Sequence, residues 1–197
     1  MPKYKFNIAC GILAGGKNTR ISGIDKAFIK YNDIPLIDNI LSKLTTVFDE
    51  IIIVTNSPEK YNYNNCIITS DIYKNIGPLG GIYTALAKST KESVFIFSCD
   101  MPFLNINLII KQIIAFNKSN KEIFIPQIED NIEPLHAIYK KSLTGKLKDY
   151  IDNTKDYSVR NYILGSDYSY FNLKNTKSNK ISFTNINTLS DIELLKI

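Results

Sequence analysis

The first hundred residues alternate between apolar runs of strand length and a stretch with helical spacing. The strand-like runs are Phe6 to Leu13, Ile51 to Val54, Cys66 to Thr69 and Val94 to Ser98. Between the first two, apolar side chains recur at helical spacing from Leu36 to Phe48. Because the strand runs are continuously apolar, both faces of the sheet should be covered. The pattern predicts a three-layer α/β/α fold with a mostly parallel central sheet.

Further elements follow along the chain. Helices are predicted after Gly80-Gly81 and from Asn105, a plausible N-cap. Past residue 120, the runs Ile123 to Pro126 and Leu135 to Tyr139 are separated by the polar turn Glu129-Asp130-Asn131. This arrangement predicts a hairpin, and therefore one antiparallel strand in the sheet.

The last third of the chain is predicted to be mainly helical. The elements expected there are helices at Lys140 to Tyr150 and Val159 to Leu164, a loop at Asn172 to Asn179, a short strand at Ile181 to Asn185, and a terminal helix that begins at Ser190 with a capping box. No linker or internal repeat interrupts the chain, so residues 1–197 are expected to form a single domain.

Composition excludes several classes of protein. With 44% apolar and 22% charged residues, the chain has the composition of a soluble globular protein. No apolar run approaches the roughly 20 residues of a membrane helix, and no secretory signal is recognisable at the start, so we expect a cytoplasmic protein without membrane contacts. The net charge of +5 comes from scattered lysines, which does not predict a nucleic-acid partner. Cys10, Cys66 and Cys99 are expected to be reduced core residues.

The first strand runs into a glycine pair, Gly15-Gly16, which is followed by two cations, Arg20 and Lys26. Adjacent glycines let backbone amides approach an anion without a Cβ in the way. The segment is not a P-loop, because no Ser or Thr directly follows Lys17 or Lys26, and it is not the dinucleotide fingerprint, because the glycines are adjacent. The combination favours an enzyme that holds a nucleoside triphosphate.

Polar residues follow the other strands of the predicted sheet. Asn56, Asp71 and Asp100 each come just after an apolar run, and ligands of open parallel sheets bind outside the carboxyl ends of the strands. Asn56 and Asp71 are also common turn formers. Asp100, which Pro102 closely follows, is predicted to ligate Mg²⁺ together with phosphate oxygens. The alternative is a carboxylate that caps the turn before the next helix.

Two further features are ambiguous on their own. The glycine-rich segment from Gly77 to Gly81 could approach a base or ribose closely, or could simply begin a helix. The single histidine, His136, lies on an apolar run, where a core or rim position is the usual one. No Ser-His-Asp or Cys-His set is apparent, so a hydrolase triad is not expected.

Taken together, these motifs resemble the molybdenum cofactor guanylyltransferases. The matching segments are Leu13-Ala14-Gly15-Gly16 with Arg20 and Asp25-Lys26, Gly77 to Ile82, Cys99 to Phe103, Glu133 to Tyr139, and Phe183 to Thr188. The opening loop marks the broader nucleotidyltransferase superfamily, and the histidine-containing strand and the tail narrow the resemblance to this branch. The resemblance runs from about residue 7 to the C-terminus and implies a Rossmann-like nucleotidyltransferase fold.

The resemblance also implies a reaction. Such enzymes transfer GMP from GTP to the terminal phosphate of molybdopterin and release pyrophosphate, with Mg²⁺ as cofactor and Mn²⁺ as a substitute. The pterin phosphate attacks the α-phosphorus directly. Transient contact with proteins that deliver or accept the molybdenum cofactor is compatible with the family.

Site residues follow from the same resemblance. The catalytic residues would be Arg20, which neutralises departing pyrophosphate, Lys26, and the metal ligand Asp100. Nucleotide contacts are implied for Leu13, Ala14, Gly15, Gly16, Lys26, Asn56, Asp71, Gly77, Pro78, Leu79 and Asp100. Asn185 and Asn187 match the segment near the metal and the pterin.

Two positions depart from the family pattern. Ile21-Ser22 stand where the family usually has Met-Gly, and Val54 takes the first position of an Asn-x-Asn ending at Asn56. Other functions therefore remain open: a CTP-dependent enzyme acting on the same pterin, a nucleotidyltransferase for another phosphorylated small molecule, or a non-catalytic nucleotide-binding module.

Overall fold

A computed structural model describes residues 6–15, 20–21, 24–186 and 191, and places an eight-stranded mixed sheet at the centre of the molecule. The strands are β1 (Ile8–Leu13), β2 (Arg20–Ile21), β3 (Ile24–Asp25), β4 (Lys30–Tyr31), β5 (Ile34–Pro35), β6 (Ile51–Val54), β7 (Ile67–Thr69), β8 (Ser93–Ser98), β9 (Ile123–Ile128), β10 (Asn131–Ile132), β11 (His136–Lys140) and β12 (Tyr168–Leu173). The helices are α1 (Leu36–Leu44), α2 (Pro78–Lys88), α3 (Ile106–Phe116), α4 (Leu143–Asn153), α5 (Val159–Leu164) and α6 (Lys177–Ser182).

One half of the sheet is a parallel block in the order β8, β1, β6, β7. Leu13 at the end of β1 is in register with Ser98 of β8 on one side and with Val54 of β6 on the other. Val54 in turn is in register with Thr69 of β7. The four strands therefore end in one row, and the loops that follow them emerge at the same edge of the sheet.

The other half contains the predicted antiparallel strand. β11 runs antiparallel to both β8 and β9, which confirms the antiparallel strand and the α/β class with a mostly parallel sheet. The predicted turn at Glu129 and Asp130 joins β9 to the short strand β10, not directly to β11. The two-residue strand β10 also runs antiparallel to β9, at the opposite end of that strand from β11. β12 pairs in parallel with the full length of β9.

Two apolar cores lie on opposite faces of the sheet. Cys10 and Ile12 of β1 pack on one face with α1 and α3, whereas Ala9 and Leu13 pack on the other with α2, α4 and α5. The continuously apolar strands are therefore covered on both faces of the sheet, as predicted. Cys10, Cys66 and Cys99 are free thiols, the first and last of them buried. In the described part of the chain, none of the helices has the length and apolarity needed to cross a membrane.

The C-terminal third differs from its prediction. The expected loop at Asn172 to Asn179 holds the end of β12 and the start of α6, and the expected strand at Ile181 to Asn185 is the end of that helix and the segment after it. The Thr176 side chain accepts a hydrogen bond from the Asn179 amide and caps α6. The polar residues from Asn172 to Asn179 resembled a loop in composition, and the strand β12 was not predicted. The predicted helix start at Ser190 lies outside the described residues.

The glycine pair Gly80-Gly81 lies inside α2 and does not precede it. A Cβ on Gly80 would lie 2.5 Å from the Tyr73 carbonyl oxygen, and one on Gly81 would lie 2.9 Å from Leu13 Cδ2. Distances that short are not tolerated between packed atoms. The glycines therefore let the first turn of α2 pack directly against the end of β1 and the preceding loop.

His136 is fully buried on β11, in agreement with the expected core position. Its ring meets Phe95, Phe97 and Phe183 edge-on, with centroids 5.0–5.1 Å apart. Both ring nitrogens lack hydrogen-bond partners among the described residues. Burial lowers the pKa of His136 to about 4, so the ring is neutral at pH 7. This histidine contributes packing and not proton transfer.

Replacing Gly80 by alanine tests the close packing of α2. We expect Gly80→Ala to lower the free energy of unfolding by about 1–3 kcal/mol, because the new methyl group overlaps the Tyr73 carbonyl. The matched control is Gly145→Ala in α4, where an added Cβ meets open space and removal of a helical glycine should stabilise by about 0.5–1 kcal/mol. Urea unfolding of both variants measures the difference. Equal effects of the two substitutions would contradict the packing argument.

Candidate nucleotide-binding site

A cavity of about 260 Å³ opens at the carboxyl ends of β1 and β6. It is lined by Leu13, Gly15, Val54, Asn56, Asp71, Asn75, Gly77, Pro78 and Gly81. Six of these are nucleotide contacts expected from the sequence, and the parallel register brings them together from three separate loops. Gly81 belongs to the glycine-rich segment that could either approach a base or ribose or begin a helix, and Val54 stands where the family pattern has Asn. Sequence reasoning did not single out Asn75, because nothing in its local pattern distinguishes it from a turn residue.

The loop after β1 forms one wall of this cavity. The Ala14 amide donates to the Val54 carbonyl at 2.8 Å, which extends the β1–β6 pairing by one residue. That amide is therefore already used in the sheet and does not point to a ligand. Gly15 is the first residue beyond this pairing, and a Cβ there would lie 3.3 Å from the Asn56 amide nitrogen. The missing side chain lets the loop lie against Asn56. Gly16, another expected contact, lies outside the described residues.

The loop between β7 and α2 forms the opposite wall. Its Ile72 amide donates to Thr84 Oγ1 at 2.9 Å, and that hydroxyl donates to the Gly80 carbonyl at 2.8 Å, so the loop is fastened to α2. Gly77, the N-cap, has φ of 71°, a conformation that glycine adopts without strain. The Leu79 side chain is buried in the core, so any ligand contact from Leu79 must come from its main chain.

Asp71 places a carboxylate in the cavity. Its Oδ1 is buried and has no hydrogen-bond partner among the described residues. Burial raises the pKa of Asp71 to about 6 from an ordinary value of 3.8, because the charged form loses solvation. An unpaired buried carboxylate oxygen can accept hydrogen bonds from N–H or O–H groups of a ligand. The cavity is therefore equipped to recognise donor groups of a nucleoside.

Asp100 and Lys26 form an ion pair on the other side of β1. Lys26 Nζ lies 3.7 Å from Asp100 Oδ2, and the lysine is only 6% exposed. Ser98 Oγ donates to Asp100 Oδ1 at 2.6 Å. Asp25 caps the short 3₁₀ helix that begins at Lys26, since its Oδ1 accepts from the Ala27 amide at 3.2 Å. Both charged groups are thus held in place by their own local structure.

The Asp100 loop is tied down by three distant segments. The Cys99 amide donates to the Leu13 carbonyl at 3.1 Å, Lys43 Nζ of α1 donates to the Pro102 carbonyl at 2.9 Å, and the Ile186 amide donates to the Asp100 carbonyl at 2.8 Å. Partial burial lowers the pKa of Lys43. The last bond brings Asn185, which is exposed, next to Asp100. Asn187 lies outside the described residues.

The residues at Asp100 suit a divalent cation that is shared with a phosphate. Carboxylate oxygen is a hard ligand of the kind that Mg²⁺ and Mn²⁺ take. In the described ranges, no group of three or more His, Cys, Asp or Glu residues could hold a metal ion by protein ligands alone. Oxygens of water or of a bound phosphate could complete the coordination of a cation at Asp100. The Arg20 backbone pairs with Asp25 across β2 and β3, which brings that segment to the Lys26 side of the site.

A second cavity, of about 250 Å³, lies at the carboxyl end of β9. It is lined by Pro126, Ile128, Glu129, Asn131, Ile132, Glu133, Lys180 and Phe183. Burial, with a smaller contribution from the negative charge of Asp100, raises the pKa of Glu133 to about 7. No local pattern in the sequence indicates this cavity, because it forms between the neighbouring strands β9 and β10 and the helix α6, which is distant from them in the chain.

Comparison with known proteins places the chain in a family. Residues 10–166 match the MobA-like NTP transferase domain. A protein of Peptoclostridium acidaminophilum named probable molybdenum cofactor guanylyltransferase is 36% identical over 188 residues, which cover 92% of this chain and 85% of the relative.

Solved structures share the fold. Molybdopterin-guanine dinucleotide biosynthesis protein A from Archaeoglobus fulgidus superposes with a TM-score of 0.78 at 23% identity, over 95% of each chain. A Mycobacterium tuberculosis protein crystallised in complex with manganese has a TM-score of 0.65 at 14% identity, over 86% of this chain and 89% of its own. From the family match and the relative above 30% identity, the chain belongs to the MobA-like nucleotidyltransferases.

Proposed function

We propose that this protein transfers GMP from GTP to the terminal phosphate of molybdopterin, releasing pyrophosphate and forming the guanine dinucleotide form of the cofactor. The observation that carries the proposal is one juxtaposition. The cavity with the unpaired Asp71 oxygen and the Lys26–Asp100 ion pair flank the same strand end, Leu13. Relatives named molybdenum cofactor guanylyltransferase support the choice of base and acceptor.

The nucleoside end of GTP fits the first cavity. Guanine presents a ring N–H and an amino group side by side, and a carboxylate such as Asp71 accepts from both. Asn56, Gly77 and Pro78 line the same space. Main-chain groups of Leu13, Gly15 and Gly16 would then contact the ribose and the phosphates, which extend toward Lys26.

The phosphate end then lies at the ion pair. Lys26 is nearly buried, so its charge acts on the phosphates through little intervening water. Arg20, from the paired segment next to Asp25, would neutralise charge on the departing pyrophosphate. Asp100 would hold Mg²⁺ or Mn²⁺, which supplies further neutralisation of the phosphate oxygens when bound. Catalysis of this kind consists of positioning and charge stabilisation, and no covalent enzyme intermediate is needed.

The acceptor would approach from the side of the C-terminal segment. Asn185 directly precedes Ile186, whose amide donates to the Asp100 carbonyl. We assign Asn185 and Asn187 to the pterin and metal side of the site. The cytoplasmic location of the protein, and its contact with proteins that deliver or accept the molybdenum cofactor, remain predictions from the sequence.

Pyrophosphate release tests this function. Purified protein with Mg²⁺ and molybdopterin should release pyrophosphate with GTP, and only when the pterin is present. CTP, ATP and UTP should be inactive in the same assay. Turnover with CTP and none with GTP would replace the guanylyl assignment by a cytidylyl one. Inactivity with all four nucleotides would contradict the nucleotidyltransferase reaction on this acceptor.

The metal assignment predicts the behaviour of Asp100→Asn. This variant keeps the shape of the side chain and the Ser98 hydrogen bond but loses the charge. Pyrophosphate release should fall by about 10²–10³-fold, on the scale of losing one group that stabilises the transition state. Manganese binding in the presence of GTP, followed by electron paramagnetic resonance, should weaken in parallel. Release and manganese binding at the wild-type level would remove Asp100 from the metal site.

If Asp71 contacts the nucleotide, Asp71→Asn should raise the stability of the free protein and lower its affinity for GTP. The folded pKa of about 6 lies above the ordinary 3.8, so the folded state binds more protons between these values and its stability falls as the pH rises through this window. Asp71→Asn should therefore melt at a higher temperature than the wild type at pH 7.5, with the gap narrowing toward pH 4.5. The same variant should bind GTP more weakly.

Asp33→Asn provides the matched control for this comparison. It makes the same charge change at an exposed turn position with φ of 63°, a conformation that asparagine accepts readily. Calorimetry at the two pH values and GTP titration compare the variants. A pH-independent gap for Asp71→Asn, or unchanged GTP affinity, would contradict the role of Asp71.

A further inference from the structure

The C-terminal segment links the second cavity to Asp100. One of its walls is Phe183, whose ring packs on His136 at 5.0 Å between centroids. His136 is in register with Phe97, the residue before Ser98 at the end of β8. Three residues after Phe183, the Ile186 amide binds the Asp100 carbonyl. The C-terminal segment that forms the wall is therefore the same segment that docks on the proposed metal ligand.

The cavity has a chemistry different from that of the phosphate site. Pro126, Ile128, Ile132 and Phe183 contribute apolar side chains, and the charged residues that line it are Glu129, Glu133 and the exposed Lys180. The lining therefore has no cluster of cations of the kind that holds an anion. Apolar side chains beside a carboxyl group suit an uncharged flat ring that carries N–H donors.

Glu133 is held by its backbone, while its side chain has a weak partner. The Glu133 amide donates to the Pro126 carbonyl at 3.2 Å, and its own carbonyl accepts from the His136 amide at 3.1 Å. The carboxylate, by contrast, accepts from the Leu135 amide at 3.4 Å, near the limit for a hydrogen bond. Burial of the carboxyl and the nearby negative charge of Asp100 both disfavour ionisation. Leaving a carboxylate in this position without strong donors costs free energy, which a ligand with paired donors would recover.

We propose that Glu133 recognises the heterocyclic ring of the acceptor substrate, and that the second cavity holds that ring with its amino and adjacent ring N–H groups directed at the Glu133 carboxylate. This proposal rests on the proposed function, in which the acceptor is a pterin. A pterin carries an exocyclic amino group next to a ring N–H, two donors spaced for the two oxygens of one carboxylate. Glu133 is thereby a specificity-determining residue, and the phosphate arm of the acceptor points back toward Asp100.

Ring binding can be measured without the transfer reaction. The probes are pterin and lumazine, which has an oxo group in place of the exocyclic amino group, and binding is followed by their fluorescence. Wild-type protein should bind pterin about tenfold or more tightly than lumazine, since lumazine lacks the amino group that makes one of the two hydrogen bonds to Glu133. Glu133→Gln should lose this preference and most of the pterin affinity, because an amide offers one acceptor and one donor. Glu133→Asp should keep the preference.

Two controls separate recognition from folding. The affinity for GTP should be the same in wild type and Glu133→Gln, because the nucleotide cavity is formed by other loops. Glu92→Gln makes the same change at an exposed position that precedes β8 at the opposite edge of the sheet, and should leave both affinities unchanged. Glu133→Gln with wild-type pterin affinity, or with equal losses for pterin and lumazine, would overturn the proposal, as would a wild-type protein that binds neither ring.

The outcomes also distinguish this proposal from the proposed function. If the wild type prefers pterin through Glu133 but releases no pyrophosphate from GTP, the transfer reaction is wrong and the ring site stands. If GMP transfer occurs and Glu133→Gln retains the wild-type KM for molybdopterin, the transfer reaction stands and the role of Glu133 is wrong.

Discussion

The pairing of Leu13 with Val54 on one side and with Ser98 on the other fixes where every polar group of the site can lie. Because three neighbouring parallel strands end at the same height, the loops after them leave the sheet side by side. The first cavity forms on the β6 side of β1, and Asp100 follows β8 on the other side. A nucleotide laid across the end of β1 would reach both, which is the arrangement that transfer of a nucleotidyl group requires.

The charged groups near this edge have different surroundings. Lys26 is nearly buried and paired with Asp100. Asp71 and Glu133 are partly buried carboxyl groups in separate cavities, and burial raises the pKa of both. In the proposed reaction the ion pair would lie at the phosphates, and each of the two cavities would take a ring with N–H donors. The product of that reaction has a ring system at each end of a diphosphate.

Much of this fold could be predicted from local pattern. Continuous apolar runs identified the parallel strands, and the strand ends located Asn56, Asp71 and Asp100 at one edge. What could not be predicted depended on contacts between distant segments. Gly80 and Gly81 resembled a turn in the sequence, yet they lie inside α2 because Tyr73 and Leu13 pack against them. The second cavity and the docking of Ile186 on Asp100 likewise arise only once β9, α6 and β8 are assembled.

In the proposed complex one GTP molecule spans the end of β1, with its base at Asp71 and its phosphates at Asp100. A crystal structure with GTP and Mn²⁺, using the anomalous signal of manganese, would locate both ends. We expect guanine in the first cavity with its donors on the Asp71 carboxylate, and a manganese peak at coordination distance from both Asp100 and the phosphates. Guanine bound elsewhere, or manganese bound without Asp100, would contradict it.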